Sequence, residues 1–236
     1  MRRKDRLTVG VLGGMGPEAT LAFFGKVLQK TRAAGDEDHL HLIIDNNPQI
    51  PNRNLAVAGL GPSPAGELAA MARRLEQAGA DFLVMPCNAA HAFKDAIEET
   101  VSIPLVDMIE QTRDELLLRH PGVSRVGVLA STGCVDAGLY QSSFAARAIE
   151  VLVPRGSDRD RFMSVVYSIK SGDKSAGVKQ SMLRVAHGMV DEGAEVIVAG
   201  CTEVPLVVEQ GDLPCPLIDS LEVLAESTVR RALTSF

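Results

Sequence analysis

Apolar positions in this chain fall mostly in short unbroken runs rather than in alternation. In the first half the runs are Leu7–Leu12, His39–Asp45, Asp81–Met85 and Leu105–Val106. In the second they are Arg125–Leu129, Glu150–Leu152, Glu195–Ala199 and a stretch near Leu217. A strand with one wet face alternates, so continuous Val/Ile/Leu runs predict strands covered on both faces, as in parallel sheets. The stretches between them predict helices from Pro17 to about Arg32, over Ala65–Ala78 and Ala89–Thr100, and from Asp107 to about His120. Further helices are predicted at about Val135–Ala148, near Asp158–Lys170 and Lys174–Asp191, shortly after Thr202, and over Ser220–Leu233. Pro17 suits the first position of a helix, where a missing N–H costs nothing. Asn46–Asn54, with Pro48 and Pro51 inside it, predicts a loop without regular structure. Strands alternate with helices throughout, which predicts an α/β fold.

The pattern is also duplicated. Gln77-Ala-Gly-Ala-Asp-Phe-Leu-Val-Met-Pro-Cys87-Asn is echoed by Glu192-Gly-Ala-Glu-Val-Ile-Val-Ala-Gly-Cys201-Thr, with the cysteines 114 residues apart (201 − 87). Val9-Gly-Val-Leu-Gly-Gly recurs as Val126-Gly-Val-Leu-Ala-Ser, shifted by 117 (126 − 9), and Ile103-Pro-Leu-Val-Asp107 as Cys215-Pro-Leu-Ile-Asp219, shifted by 112 (219 − 107). Three blocks in one order at nearly constant spacing predict two half-chains of one design. The expected architecture is two similar domains, each a mostly parallel, flavodoxin-like sheet flanked by helices, with the active site in the cleft between them. Pro121–Ser124 is the candidate boundary. It gives residues 1–120 as the first domain, joined by the C-terminal helix 219–236, and 121–218 as the second. Ligands of such sheets bind at the carboxyl ends of the strands. Gly13–Pro17, Asn46–Arg53, Cys87–Ala89, Ser131–Cys134 and Cys201–Glu203 all lie there.

Composition narrows the function. A net charge of −6 with no basic stripe argues against a nucleic-acid surface. No apolar run approaches the roughly 18 residues of a membrane span. The basic opening Met1–Arg6 is not followed by the apolar core of a signal peptide. Four cysteines in a chain of this length do not form a disulfide framework, so a reducing cytoplasm is expected. Gly14-Met-Gly-Pro-Glu-Ala19 fits a dinucleotide fingerprint, with Asp45 ending the second strand. Pro17 inside the turn, and Ser131-Thr-Gly in the second copy, count against a nucleotide. Cys87 and His91 are four apart, but His39, His41, His120 and His187 supply no ligand-spaced cluster, so no metal is expected. A lone cysteine at a strand end is most often a small buried residue. The duplicated placement, beside Asn88 and Thr202, points instead to chemistry at Cys87 and Cys201. Cys215 is read as core.

Six blocks carry a family resemblance: Gly13-Gly-Met-Gly-Pro-Glu-Ala-Thr20, Asn47-Pro-Gln-Ile-Pro-Asn-Arg53, Pro86-Cys-Asn-Ala-Ala-His91, Gly138-Leu-Tyr-Gln141, Ile169-Lys-Ser-Gly172 and Gly200-Cys-Thr-Glu203. In order, and over nearly the whole chain, they resemble the aspartate/glutamate racemase family. The resemblance implies a cofactor-independent, two-cysteine racemase that is usually dimeric, acting on a small amino-acid or dicarboxylate substrate. It implies that Cys87 and Cys201 are the acid/base thiols and that Arg53 and Lys170 lie near the substrate's carboxylates. Met15, Asn88 and Thr202 would line the pocket, and Glu203 keeps the family's carboxylate beside the second cysteine. Three positions depart from the pattern: Ala89 and Cys134 stand in the pocket where Thr is common, and Asn52 where Asp is common. The departures predict an unequal pair of thiols.

Racemisation removes an α-proton from one face of a carbon and returns a proton to the other. One thiolate acts as base while the opposite thiol acts as acid. The α-hydrogen is weakly acidic, so donors and cations must stabilise the carbanion. Helix N-termini just beyond Cys87 and Cys201 favour their thiolates. Two rival functions use the same scaffold. One is decarboxylation or cis–trans isomerisation of a malonate- or maleate-like dicarboxylate; the other is non-catalytic dicarboxylate binding.

Overall fold

The computed structural model describes residues 6–233. Most of the basic opening stretch, and residues 234–236 of the expected terminal helix, lie outside them. The first half forms β1 (Val9–Gly13), α1 (Pro17–Lys30), β2 (Leu42–Asn46), α2 (Arg53–Val57), α3 (Ala65–Gln77), β3 (Phe82–Val84), α4 (Lys94–Glu98), β4 (Leu105–Val106) and α5 (Met108–Arg119). The second forms β5 (Arg125–Val128), α6 (Thr132–Asp136), α7 (Leu139–Ala145), β6 (Glu150–Leu152), α8 (Gly156–Lys170), α9 (Ala176–Asp191), β7 (Val196–Ala199), β8 (Leu217–Asp219) and α10 (Ser220–Leu233).

The strands make two four-stranded, all-parallel sheets in the orders β2-β1-β3-β4 and β6-β5-β7-β8. Their registers match as the sequence repeat requires: Val9 faces Leu42 and Phe82, and Val126 faces Val151 and Val196. The unbroken runs are explained by coverage on both sides. Phe82, Leu83 and Val84 are all fully buried, each contributing about 1.5–3 kcal/mol of hydrophobic stabilisation. Each central strand carries a glycine where a helix packs close. A Cβ on Gly10 would lie 2.9 Å from Ala80 Cβ and 2.7 Å from Leu83 Cδ2. One on Gly127 would lie 3.1 Å from Ala194 Cβ and 2.6 Å from Ile197 Cδ1. Leu75 Cβ of α3 and Met189 Cβ of α9 would lie 3.2 and 3.4 Å from the same two added atoms, so glycine lets each helix and the turn after it approach its sheet.

After β8 the chain returns to the first half. Leu221, Leu224 and Val229 of α10 share one apolar cluster with Val9, Phe23 and Val27. Lys26 pairs with Asp219 at 2.9 Å, and Lys30 with Glu222 and Glu226 at 2.6 Å each. These pairs are partly exposed, worth at most about 1 kcal/mol apiece; the cluster does more.

Four expected elements differ. The helix expected shortly after Thr202 is only a three-residue 3-10 turn over Val204–Leu206. The helix expected over Ala89–Thr100 is a tight 3-10 turn over Asn88–Phe93 followed by the short α4. The helix expected over 135–148 breaks in two, because Gly138 takes a left-handed φ of 66° between α6 and α7. The expected loop Asn46–Asn54 ends early: the Asn52 side chain accepts from the N–H groups of Asn54 and Leu55 and starts α2 at Arg53.

Candidate active site

The carboxyl ends of the two sheets face one cavity, of about 380 Å³ counting its open mouth. Cys87 and Cys201 both line it, one from beyond β3 and one from beyond β7, and both are nearly buried. Met15, Arg53, Asn88, Ala89, Lys170, Thr202 and Glu203 line it too.

Cys87 sits just before the 3-10 turn, and that turn carries His91. The Met108 N–H donates to His91 Nε2 at 3.1 Å, while Nδ1 lies 2.9 Å from the Cys87 carbonyl oxygen. A backbone N–H can only donate, so Nε2 is the acceptor and Nδ1 carries the proton, which it gives to the carbonyl. The ring is therefore neutral. Burial pushes its pKa down, against the raising effect of Asp107. His91 holds the backbone of Cys87 and leaves its sulfur free. Asn52 makes no bond to Cys87; its side chain is spent capping α2.

Cys201 is held through its sulfur. Sγ donates to Glu203 Oε2 at 3.0 Å, Thr202 Oγ1 donates to the same oxygen at 3.3 Å, and Lys170 Nζ pairs with Oε1. The Glu203 carboxylate is 5% exposed. Burial pushes the Cys201 thiol well up, and the neighbouring carboxylate adds to it, while Lys170 pulls the other way. Burial alone would lower Lys170. The charge of Glu203 and its hydrogen bond outweigh it and hold the ammonium above its ordinary range. Lys170 thus lines the same cavity as both thiols.

Arg53 holds loops together as well as facing the cavity. Nη1 donates to the carbonyls of Ile50 and Pro51 at 3.2 and 3.0 Å, and Nη2 to that of Met15 at 3.3 Å. Its Nε is buried and has no partner. Asn88 lines the wall with its amide already engaged, accepting from Tyr140 Oη at 2.7 Å and donating to Ser220 Oγ at 3.1 Å. Cys134 lies behind the wall instead of on it. It is 1% exposed, shares an apolar cluster with Ala89 and Tyr140, and burial drives its thiol pKa up. Among the described residues, no group of three or more His, Cys, Asp or Glu is placed to hold a metal.

Asn54 and Ser131 also line the cavity without having been singled out as contacts. The Gly133 N–H donates to Asn54 Oδ1 at 2.9 Å, which ties α6 to α2 across the two halves. The repeat held the signal for Ser131, since it occupies in the second copy the place of Gly14 in the first.

A family model described as Asp/Glu/Hydantoin racemase matches residues 12–228. The chain belongs to this family. Among curated racemases, it is 27% identical over 228 residues to the broad specificity amino-acid racemase RacX of Bacillus subtilis, covering 94% of this chain and 96% of that one. Among solved structures of the family, the Picrophilus torridus aspartate racemase superposes with a TM-score of 0.86 at 28% identity, covering 96% of this chain and 94% of that one. The glutamate racemase of Francisella tularensis, in complex with D-glutamate, shares the fold at 20% identity with a TM-score of 0.73, covering 97% and 81%. This racemase fold is the two-sheet arrangement described above.

Proposed function

We propose that the protein racemises an acidic amino acid, aspartate or glutamate, by passing its α-proton between Cys87 and Cys201 with no cofactor. The observation that carries this reading is the pair of thiols on one cavity, one from each sheet, with Lys170 lining the same cavity. The α C–H bond breaks toward one sulfur, and the opposite S–H supplies the proton that completes the inverted carbon. At rest Cys201 is the proton donor, because its hydrogen is held toward Glu203. The enantiomer whose α-proton faces Cys87 is then taken directly. The other requires Glu203 to accept the Cys201 proton first. Arg53, which lines the cavity from the start of α2, serves a substrate carboxylate in this reading. In this reading the thiols belong to separate domains, 1–120 with 219–236 and 121–218. The working unit is a cytoplasmic homodimer, where both sulfurs stay reduced.

A second reading admits neutral side chains as well. Lys170 is already paired with Glu203, and Ala89, Val166 and Gly200 give the cavity small apolar walls. The likeness to a broad specificity racemase supports it. Proton NMR in deuterium oxide tests both, with L- and D-Asp, L- and D-Glu, and the enantiomers of Ala and Leu incubated separately. Loss of the α-proton signal with appearance of the mirror form establishes racemisation and names the substrate. Absence of exchange in every tube overturns it in favour of malonate- or maleate-type dicarboxylates.

A further inference from the structure

A chain of buried hydrogen bonds runs between the two thiol-bearing turns. Tyr140 Oη donates to Asn88 Oδ1 at 2.7 Å, Asn88 Nδ2 donates to Ser220 Oγ at 3.1 Å, and Ser220 Oγ donates to the Ala199 carbonyl at 2.6 Å. Asn88 directly follows Cys87, and Ala199 ends β7 two residues before Cys201. Tyr140, Asn88 and Ser220 are 1%, 2% and 0% exposed, so no water competes for these bonds. Their directions are fixed. The single serine hydrogen goes to a carbonyl, so Ser220 must accept from the amide, and the amide oxygen is left for the phenol.

The Tyr140 ring also reaches the second turn by itself. A Cβ on Gly200, the residue before Cys201, would lie 3.0 Å from Tyr140 Cε2. Phe144 keeps that ring in place by stacking, with centroids 6.4 Å apart and planes 19° from parallel. One tyrosine therefore grips the neighbour of each thiol, by its hydroxyl on one side and its ring edge on the other.

We propose that Tyr140 and Ser220 are positioning residues that set the span between Cys87 and Cys201. The proposal rests on the two-thiol reading above. Proton delivery from opposite faces needs both sulfurs placed on one carbon to within about 0.5 Å. The two follow strands of separate sheets, 114 positions apart in the chain (201 − 87). The bridge from Asn88 through Ser220 to Ala199 spans that gap in two bonds, and Tyr140 anchors its Asn88 end. If it loosens, a carbanion formed at one sulfur is reprotonated by the same sulfur, and deuterium enters without inversion.

Tyr140→Phe and Ser220→Ala each delete one hydroxyl and keep the shape. The measurement is deuterium incorporation in deuterium oxide, with retained and inverted product separated on a chiral column. Inversion is expected to fall about ten- to hundredfold in each variant while exchange with retention persists, so their ratio shifts by that factor. Simple destabilisation would lower both together. A second readout needs no turnover: 1,3-dibromoacetone, a short reagent with two electrophilic ends, should bridge Cys87 to Cys201 in the parent protein and give single adducts in the variants, scored by peptide mass. An unchanged ratio and unchanged bridging in both variants overturn the proposal, whatever happens to the total rate. If the parent protein exchanges no α-proton, the racemase reading falls and the bridging yield alone decides the positioning role.

Discussion

Cys87 and Cys201 each follow the strand beside the first strand of a duplicated sheet, yet one is gripped through its backbone and the other through its sulfur. At the first turn a neutral imidazole holds the Cys87 carbonyl and, among the described residues, no carboxylate hydrogen-bonds to the thiol. At the second, Glu203 takes the thiol hydrogen directly and Lys170 neutralises Glu203. The position corresponding to His91 is Pro205 in the second copy, which has no ring nitrogen to offer. Duplication fixes where the sulfur stands. The residues within a few positions of it decide how it handles a proton.

The largest test of this contrast is removal of each sulfur. Cys87→Ser and Cys201→Ser should each lower racemisation by about 10³-fold or more. Residual deuterium exchange, if measured, should be confined to one enantiomer, and to opposite enantiomers in the two variants; full racemisation by either variant would sink the two-base scheme. Next in size is Glu203→Gln, which should slow turnover about ten- to hundredfold. Cys201 should nevertheless be alkylated faster, because the carboxylate that holds its proton is gone and Lys170 is left to favour the thiolate. Iodoacetamide labelling followed by peptide mass spectrometry reads this. Slower or equal labelling would mean that burial alone sets the Cys201 proton.

Two smaller effects compare the halves as folded objects. Gly10→Ala should destabilise by about 1–3 kcal/mol in urea unfolding, and Gly127→Ala should fall at the lower end of that range. The difference lies in what each methyl meets. Each meets the flexible tip of a neighbour, Leu83 Cδ2 or Ile197 Cδ1, but the Cβ that cannot rotate away stands at 2.9 Å in the first half (Ala80) and at 3.1 Å in the second (Ala194). Equal costs would show that the two sheets are packed alike. The smallest effect is a pH dependence confined to the first half. The pKa of His91 is lowered on folding from its ordinary 6.5. The unfolded chain therefore binds that proton more readily, and the stability tied to the neutral ring is full above 6.5 and drains away as pH falls below it. His91→Gln should flatten urea midpoints over that acid range; an undiminished slope would assign the effect to carboxylates instead.

Much of this was legible in the sequence, for a physical reason. Parallel strands covered on both faces write themselves as continuous apolar runs, and a duplicated fold repeats them, so Val9 and Val126 align by sequence as they do by register. Cys87, Cys201, Lys170 and Glu203 followed from strand ends and from resemblance. What stayed hidden depends on contacts between the halves. Nothing in the spacing of Asn54 and Gly133, or of Tyr140 and Asn88, shows that they meet. The expected pocket position of Cys134 failed similarly, since a short helix can present a cysteine to the cavity or turn it inward, and here it turns inward. Gly138 marked the break between α6 and α7, but a glycine within an apolar stretch is tolerated often enough to be passed over.

The carboxylate beside Cys201 has a consequence for what asymmetry can accomplish. Mirror-image amino acids have equal free energies in water, so the equilibrium constant of a racemase is one. The kcat/KM values of its two directions must then be identical, however differently its two sulfurs are held. Glu203 therefore cannot make the protein prefer one product. What an unequal pair can do is trade kcat against KM, so that one hand saturates early at a low maximal rate and the other late at a high one.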